Sequence, residues 1–541
     1  MKSKFFLFLI LTLQTGVSFS KVKKTNKPKL IIGLVVDQMR ADFLTRFAYQ
    51  YGADGFLKLM QQGHVCSHAM INYLPSYTAP GHTCIYTGTV PAIHGIASND
   101  WFQKETLKPM YCTYDPSVHN IGGTRRAGTM SPRNLWTTTI TDELRLASNF
   151  KSKVIAISVK DRASILPGGH TANAAYWMDD SMGVFMSSNF YAQQLPAWVD
   201  SFNRQDYAGA YMAKNWDLVY PKEKYLQSTA DNNTYEGKFP NEVGTAFPHQ
   251  LATLRRADIK KTPYGNDMVF DFAKATIENE HLGQDSETDF LALSFSSTDY
   301  VGHMYGPNSL EIEDTYVRFD KRLASFMQYL DETIGPDEYT LFLTADHGVA
   351  HNPSFLQDQK IPAGFFVDSV YKKKLNEQLK KQFNIQDAIF SISENYIWLH
   401  DSLIKNKQLN RQEIINEIIQ ECSSWPEVHF ALDMKNIQAA VLPSQIKEMA
   451  IHGFVQNRSG DILLLLKPGW IDAYALTGTT HGTWNPYDTH IPLIWYGKGI
   501  QTGETIRQVH MTDIAATIAS LLQIQMPNGC IGVPIPEVIS R

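Results

Sequence analysis

The chain has little surplus positive charge, few cysteines and no long apolar run, and each shortage closes a class of function. Lys and Arg total 49 against 54 Asp and Glu, for a net charge of −5, so there is no basic footprint for nucleic acid. No Lys/Arg cluster with interleaved aromatics supplies a local one. The five cysteines, Cys66, Cys84, Cys112, Cys422 and Cys530, have neither CxxC nor Cys/His metal spacing, so the fold depends on its core rather than on staples. Cys66 and Cys84 are a candidate disulfide pair that spacing alone leaves open. The N-terminal apolar stretch, Phe5 to Leu13, is too short to span a bilayer as a helix, and no later segment approaches the eighteen or so residues required. With Lys2 and Lys4 before it and the small Ser18 and Ser20 after it, that stretch reads as an export signal over residues 1–20, cut near Ser20/Lys21. No cysteine near the cut offers a lipid attachment point. The expected product is a periplasmic or secreted protein with no membrane span in the mature chain. There is no fixed-period repeat and no low-complexity tract.

What is present is a large apolar fraction, 43% of 541 residues, which allows one extensive core. Apolar, β-branched runs recur at Leu30–Val36, Val154–Val159, Phe290–Phe295, Tyr339–Thr344, Asp461–Leu466 and Ile491–Trp495. Amphipathic stretches lie between several of them. From Leu310 to Ile334, for example, Ile312, Tyr316, Phe319, Leu323, Phe326 and Leu330 keep a helical spacing. Strands alternating with helices predict βαβ units and a mostly parallel sheet. Two stretches break the rhythm. Residues from about 190 to 265 are rich in Tyr, Trp, Asn and Pro, and residues from about 356 to 455 are highly charged and helical in pattern. Both read as insertions that cap the sheet edge within one catalytic domain over residues 21–541.

Three of the apolar runs are followed by acids. Asp37 ends the first, and the pairs Asp299-x3-His303 and Asp346-His347 follow two others. The carboxyl ends of parallel strands line the crevice where ligands bind, so three strands would bring carboxylate and imidazole groups to one edge. Any one such pair can be a helix cap; three in one chain argue for metal. The mixed donor set suits zinc or a similar divalent ion, and is too large for one tetrahedral ion. His481, in the Thr- and Gly-rich loop Thr479-Thr480-His481-Gly482, adds a further imidazole, while His64, His119, His249, His400, His429 and His510 lack such a context. Two divalent ions bring four positive charges against the three of Asp37, Asp299 and Asp346, leaving room for a deprotonated hydroxyl and an anionic substrate such as a phosphate ester. Ser76, Thr78 and Thr83 are comparable hydroxyl candidates around Pro80-Gly81, where a loop entering a helix would favour an anion.

The combination Val-Val-Asp37-Gln-Met-Arg, Thr78-Ala-Pro-Gly-His, Gly95-Ile-Ala-Ser-Asn99-Asp-Trp, Asp299-Tyr-Val-Gly-His303, Ala-Asp346-His347-Gly and Thr-His481-Gly resembles the alkaline phosphatase superfamily. Within it the chain is similar to the type I phosphodiesterase/nucleotide pyrophosphatase-related branch, above all to the bacterial phosphate-irrepressible alkaline phosphatases of the PafA type. The resemblance covers nearly the whole mature chain. It implies an alkaline-phosphatase-like α/β fold, a three-layer α/β/α sandwich with a mostly parallel sheet and capping insertions. It also implies two Zn2+ per chain: Thr78, as nucleophile and ligand, with Asp37, Asp346 and His347 at one, and Asp299, His303 and His481 at the other.

Lys160 and Arg162, in Ser158-Val159-Lys160-Asp161-Arg162, separate the branches. By the resemblance they contact the free phosphoryl oxygens together with Asn99, and a monoester carries about one more negative charge than a diester. The sulfatase motif C/S-x-P-x-R is absent. The expectation is therefore an exported zinc alkaline phosphatase, a monomer acting on small-molecule phosphate monoesters through a phosphothreonine. The alternatives are a phosphodiesterase or nucleotide pyrophosphatase with the same two-zinc site, and an exported phosphate- or metal-binding protein without activity.

Overall fold

Leu30–Val36 is a strand in which every side chain is buried, as an unbroken Leu/Ile/Val run predicts for a strand covered on both faces. The computed structural model describes residues 27–472 and 476–540 and places this strand near the middle of a ten-stranded sheet. Asp289–Phe295 pairs with it in parallel on one side and Tyr339–Thr344 on the other. Val154–Ser158 and then Ala174–Asp179 extend the parallel core. Leu493–Gly497 and Val184–Ser188 run against the rest. Helices such as Thr78–Thr87, Arg162–Gly168, Tyr264–Glu280 and Leu310–Thr333 cover the sheet and close one large apolar core. The predicted α/β fold with a mostly parallel sheet is what forms.

Three details differ from the sequence reading. Ile462–Leu466 leaves the main sheet and joins Ile389–Ser393, Tyr396–Leu399 and Val428–Asp433 in a separate antiparallel sheet with its own apolar cluster. A short buried run looks the same in sequence whichever sheet receives it. Residues 356–455 are thus strands as well as helices, and a second cluster containing Ala79, Ile96, Leu135, Tyr396, Trp398 and Leu463 seals this sheet to the body. The cysteines are all free thiols, so Cys66 and Cys84 do not pair. The predicted export signal and its cut lie outside the described residues. Among those described, no helix is long and apolar enough to cross a membrane.

The Leu310–Thr333 helix opens on three buried acids, Glu311, Glu313 and Asp314, at the end where the helix dipole favours negative charge. They gather the Tyr- and Trp-rich stretch onto the body. Asp314 accepts from Trp216 Nε1 and the Val219 amide, each at 2.8 Å, and from the Tyr225 hydroxyl at 2.5 Å. His249, fully buried, lies 3.0 Å from Glu242 through Nδ1 and 3.2 Å from Glu311 through Nε2. Burial works against its charge, but the two carboxylates outweigh burial and push the imidazole up from 6.5 to about 9. Because the folded value lies above the unfolded one, this stability is complete below about pH 6.5 and is lost as pH rises through about 9. His249→Gln should therefore cost roughly 3 kcal/mol at pH 7 and about 1 kcal/mol or less at pH 10, measured by chemical denaturation. An equal cost at both pH values would mean that His249 is neutral in the fold.

Candidate active site

Four neighbouring strands each end in a candidate residue, and their order across the sheet sets the order across the site. Asp346 lies two residues beyond Tyr339–Thr344, Asp37 directly follows Leu30–Val36, and Asp299 sits in the first turn of the Ser297–Tyr305 helix after Asp289–Phe295. Lys160 and Arg162 follow Val154–Ser158. His303 lies one helical turn beyond Asp299, with its Nε2 3.1 Å from Asp299 Oδ1. His481 arrives on a loop held from below by the fold: the Gly478 amide donates to Tyr235 O at 2.6 Å and the Thr479 amide to His303 O at 3.1 Å.

The three imidazoles share one orientation. His347 Nδ1 lies 2.9 Å from Gly348 O, His303 Nδ1 lies 2.8 Å from Thr479 O, and His481 Nδ1 lies 2.8 Å from Ser76 O. A carbonyl can only accept, so each Nδ1 carries a proton, and a neutral ring keeps its lone pair on Nε2. The Nε2 atoms face carboxylates, and Asp299 beside His303 outweighs burial and raises that imidazole. His347 Nε2 is 3.4 Å from Asp346 Oδ2 and 3.6 Å from Asp37 Oδ1, and His481 Nε2 is 3.8 Å from Asp299 Oδ1. Burial, then His347 and His303, hold His481 well below the usual imidazole range, which keeps that lone pair available. Asp37 Oδ1 and Asp346 Oδ2 are buried and receive no hydrogen bond. Orphaned carboxylate oxygens facing imidazole lone pairs fit a cation, and the hydrogen-bonded Nδ1 atoms are the outer support that metal-ligating histidines use. Ligand atoms of Asp299, His303 and His481 lie within 4.8 Å of one another, as do those of Asp37, Asp299 and His347, so Asp299 stands between two groupings.

Charge is unevenly held. Burial, then Asp346, push Asp37 up to about 6. Burial would also raise Asp346, but His347 and His82 beside it hold it below the usual carboxylate range, and His303 and Lys160 do the same for Asp299. The Lys160 ammonium lies 2.8 Å from Asp37 Oδ2 and 2.5 Å from Asp299 Oδ2, so it bridges the two carboxylates rather than projecting from a turn. Asp299 and Asp37 outweigh the burial that opposes its charge. Tyr300 lies under it, ring centroid 5.0 Å away.

Among the three hydroxyl candidates, geometry separates one. Thr83 donates to Ala79 O at 2.7 Å along its own helix, and Ser76 donates to Thr483 O at 3.3 Å. Thr78, first residue of the Thr78–Thr87 helix and 1% exposed, has its Oγ1 3.4 Å from His347 Nε2 at the edge of the carboxylate cluster. The helix packs tightly there, because a Cβ at Gly81 would lie 2.5 Å from Asp346 O. Asn99 Oδ1 accepts from the Ala79 amide at 2.9 Å, which turns its Nδ2 away from that helix. Arg162 Nη1 donates to the Tyr111 hydroxyl at 3.1 Å, and its Nε has no partner.

Sequence reasoning missed several neighbours. His82 places Nδ1 2.9 Å from Thr78 O and Nε2 2.8 Å from Ser294 Oγ, so it supports the cluster without turning a lone pair into it. Glu394 and Asn395 form the tip of the hairpin joining Ile389–Ser393 to Tyr396–Leu399, with φ of 52° and 63°. Asn395 Nδ2 donates to Gly482 O at 3.1 Å, beside His481, and burial pushes the Glu394 carboxyl, next to Ser98 and Asp100, up to about 8. A two-residue link between alternating strands was the available signal, although Glu-Asn is not among the strongest pairs for such a turn.

Comparison with known proteins finds relatives over nearly the whole chain. Residues 31–488 match the family model described as type I phosphodiesterase / nucleotide pyrophosphatase. A Myroides odoratus protein named calcium-transporting ATPase is 47% identical, over 96% of each chain. Alkaline phosphatase PafA of Elizabethkingia meningoseptica is 42% identical over 99% of each. A crystal structure of wild-type PafA superposes with a TM-score of 0.93 at 43% identity, covering 95% of this chain and 99% of that one.

Proposed function

This chain belongs to the type I phosphodiesterase/nucleotide pyrophosphatase family, in the alkaline phosphatase superfamily, and from that premise we propose that it is an exported two-zinc alkaline phosphatase working through a phosphorylated Thr78. The observation that carries this reading is the common orientation of His303, His347 and His481, each with Nδ1–H on a carbonyl and Nε2 toward the buried carboxylates. Asp37, Thr78, Asp346 and His347 would hold one zinc, and Asp299, His303 and His481 the other. When bound, the pair would polarise the phosphoryl oxygens, ease ionisation of the threonine hydroxyl and steady the departing alkoxide.

The chain's own residues supply the rest. Thr78 Oγ1 forms the bond to phosphorus as the bond to the alcohol oxygen breaks on the opposite side. The Thr78–Thr87 helix begins at the nucleophile, so its N-terminal dipole faces the anion. Asn99, its carbonyl fixed by Ala79, is left with Nδ2 to donate to a phosphoryl oxygen. Arg162 brings a guanidinium with an uncommitted Nε, and the long stem of Lys160 lets its ammonium turn from the carboxylates to the substrate. Such charge stabilisation is the main resource in phosphoryl transfer. Water then attacks the phosphothreonine from the side the alcohol left, so two in-line displacements give retention at phosphorus.

Elemental analysis of active protein should give about two zinc ions per chain, because mixed Asp/His ligation fills two sites. Chelation should remove monoester hydrolysis and added zinc should restore it. One metal or none in active protein would reject the reading.

A further inference from the structure

Gln38 joins the two halves of the site. It directly follows Asp37, is 2% exposed and holds φ at 68°, the left-handed region that a side chain of this size enters only when its surroundings compel it. That turn aims its backbone N–H at Asp346 Oδ1, 3.2 Å away, and sends its carboxamide across to Asp299, where Nε2 donates to Oδ1 at 2.7 Å. Asp346 and Asp299 belong to different ligand sets in the reading above. Among the hydrogen bonds of the described residues, Gln38 and Lys160 each reach carboxylates of both sets, and Gln38 does so without charge.

A second residue clears the seat for this carboxamide. A Cβ built on Gly302, within Asp299-Tyr-Val-Gly302-His303, would lie 1.9 Å from Gln38 Oε1. Gly302 lies inside the Ser297–Tyr305 helix and is not among the positive-φ glycines, so its backbone does not need glycine. The space it leaves is filled by Gln38.

We propose that Gln38 is a positioning residue that locks the Asp299 carboxylate in its metal-binding orientation, and that Gly302 is glycine to let it do so. Oδ1 of Asp299 is the oxygen nearest His303 and His481, at 3.1 and 3.8 Å from their Nε2 atoms, so a rotation of this carboxylate would dismantle that ligand set. The Gln38 amide hydrogen bond fixes the oxygen in place. Asp346 is held through the backbone, and its support should survive loss of the side chain.

The inference rests on the two-metal reading, and zinc binding tests the two separately. Gln38→Gly keeps the backbone turn at no steric cost and removes the side chain, carboxamide included. It should weaken one of the two zinc dissociation constants by about 10- to 100-fold, measured by competition with a chromophoric chelator, and leave the other nearly unchanged. Gly302→Ala should give the same single-site loss by displacing the carboxamide, with thermal stability maintained. In the double variant Gln38→Gly/Gly302→Ala the added methyl meets no carboxamide, so the loss should equal that of either single change. Two losses that add, or unchanged zinc affinity in folded single variants, would overturn the role of Gln38. A wild-type chain that binds no zinc would instead defeat the two-metal reading itself.

Discussion

Thr78→Ala is expected to lower kcat/KM for an aryl phosphate monoester by about 10⁶-fold, the scale seen when a covalent nucleophile is removed from an intact site. The fold should persist, because Thr78 opens its helix without a side-chain capping bond and the threonine hydroxyl bonds inside that helix belong to Thr83 and Thr87. Thr78→Ser keeps a hydroxyl and should retain part of the activity. Ser76→Ala should be mild, since that hydroxyl donates to Thr483 O rather than facing the carboxylates, and the carbonyl that holds His481 is on the backbone. Acid quenching during turnover should trap phosphate on Thr78. Phosphate recovered on Ser76 or Thr83 would overturn the assignment.

Much of this site was legible in the sequence because its chemistry is tied to strand ends. Asp37, Asp299 and Asp346 follow apolar runs that proved to be adjacent parallel strands, and the fold delivers them to one edge. The convergence of His481 was legible only as a motif. Its position depends on Ser76 O and on a loop tied to Tyr235, contacts between residues far apart in the chain. Contacts of that kind account for most of what was hidden. Nothing local marks Lys160 as a bridge between Asp37 and Asp299, or tells a buried ammonium from one on a solvated turn. Gln38 lies within Val-Val-Asp37-Gln-Met-Arg, but its left-handed φ and its fit against Gly302 appear only in the folded chain. Ile462–Leu466 was readable as a strand and not as a member of the second sheet, since periodicity reports burial and not partner. The helical pattern of residues 356–455 likewise concealed the Glu394–Asn395 turn, which brings that sheet to the loop carrying Gly482.

The second large effect concerns substrate charge. Lys160→Ala and Arg162→Ala should each lower monoesterase kcat/KM by about 30- to 1000-fold, roughly 2–4 kcal/mol of transition-state stabilisation, and lower diesterase kcat/KM much less. In the proposed reading the cause is the extra negative charge of the monoester, which the Arg162 guanidinium, with its unpartnered Nε, and the Lys160 ammonium, once turned from Asp37 and Asp299, would meet. Lys160 carries a second consequence. Its ammonium offsets charge on Asp37 and Asp299, so its loss should also alter metal binding, whereas loss of Arg162, bonded to Tyr111, should not. The double variant should narrow the preference further without the two losses adding, because in the proposed reading both groups would serve one phosphoryl unit. Equal losses on both substrates would mean that the pair supports the structure rather than selecting charge.

The central claim is that the proposed two-metal site, with Lys160 and Arg162 beside it, is built for monoesters. It is tested most directly by kcat/KM of the zinc-loaded wild-type protein for an aryl phosphate monoester and for the matching aryl methyl phosphate diester. The account predicts a strong preference for the monoester; a preference for the diester would contradict it.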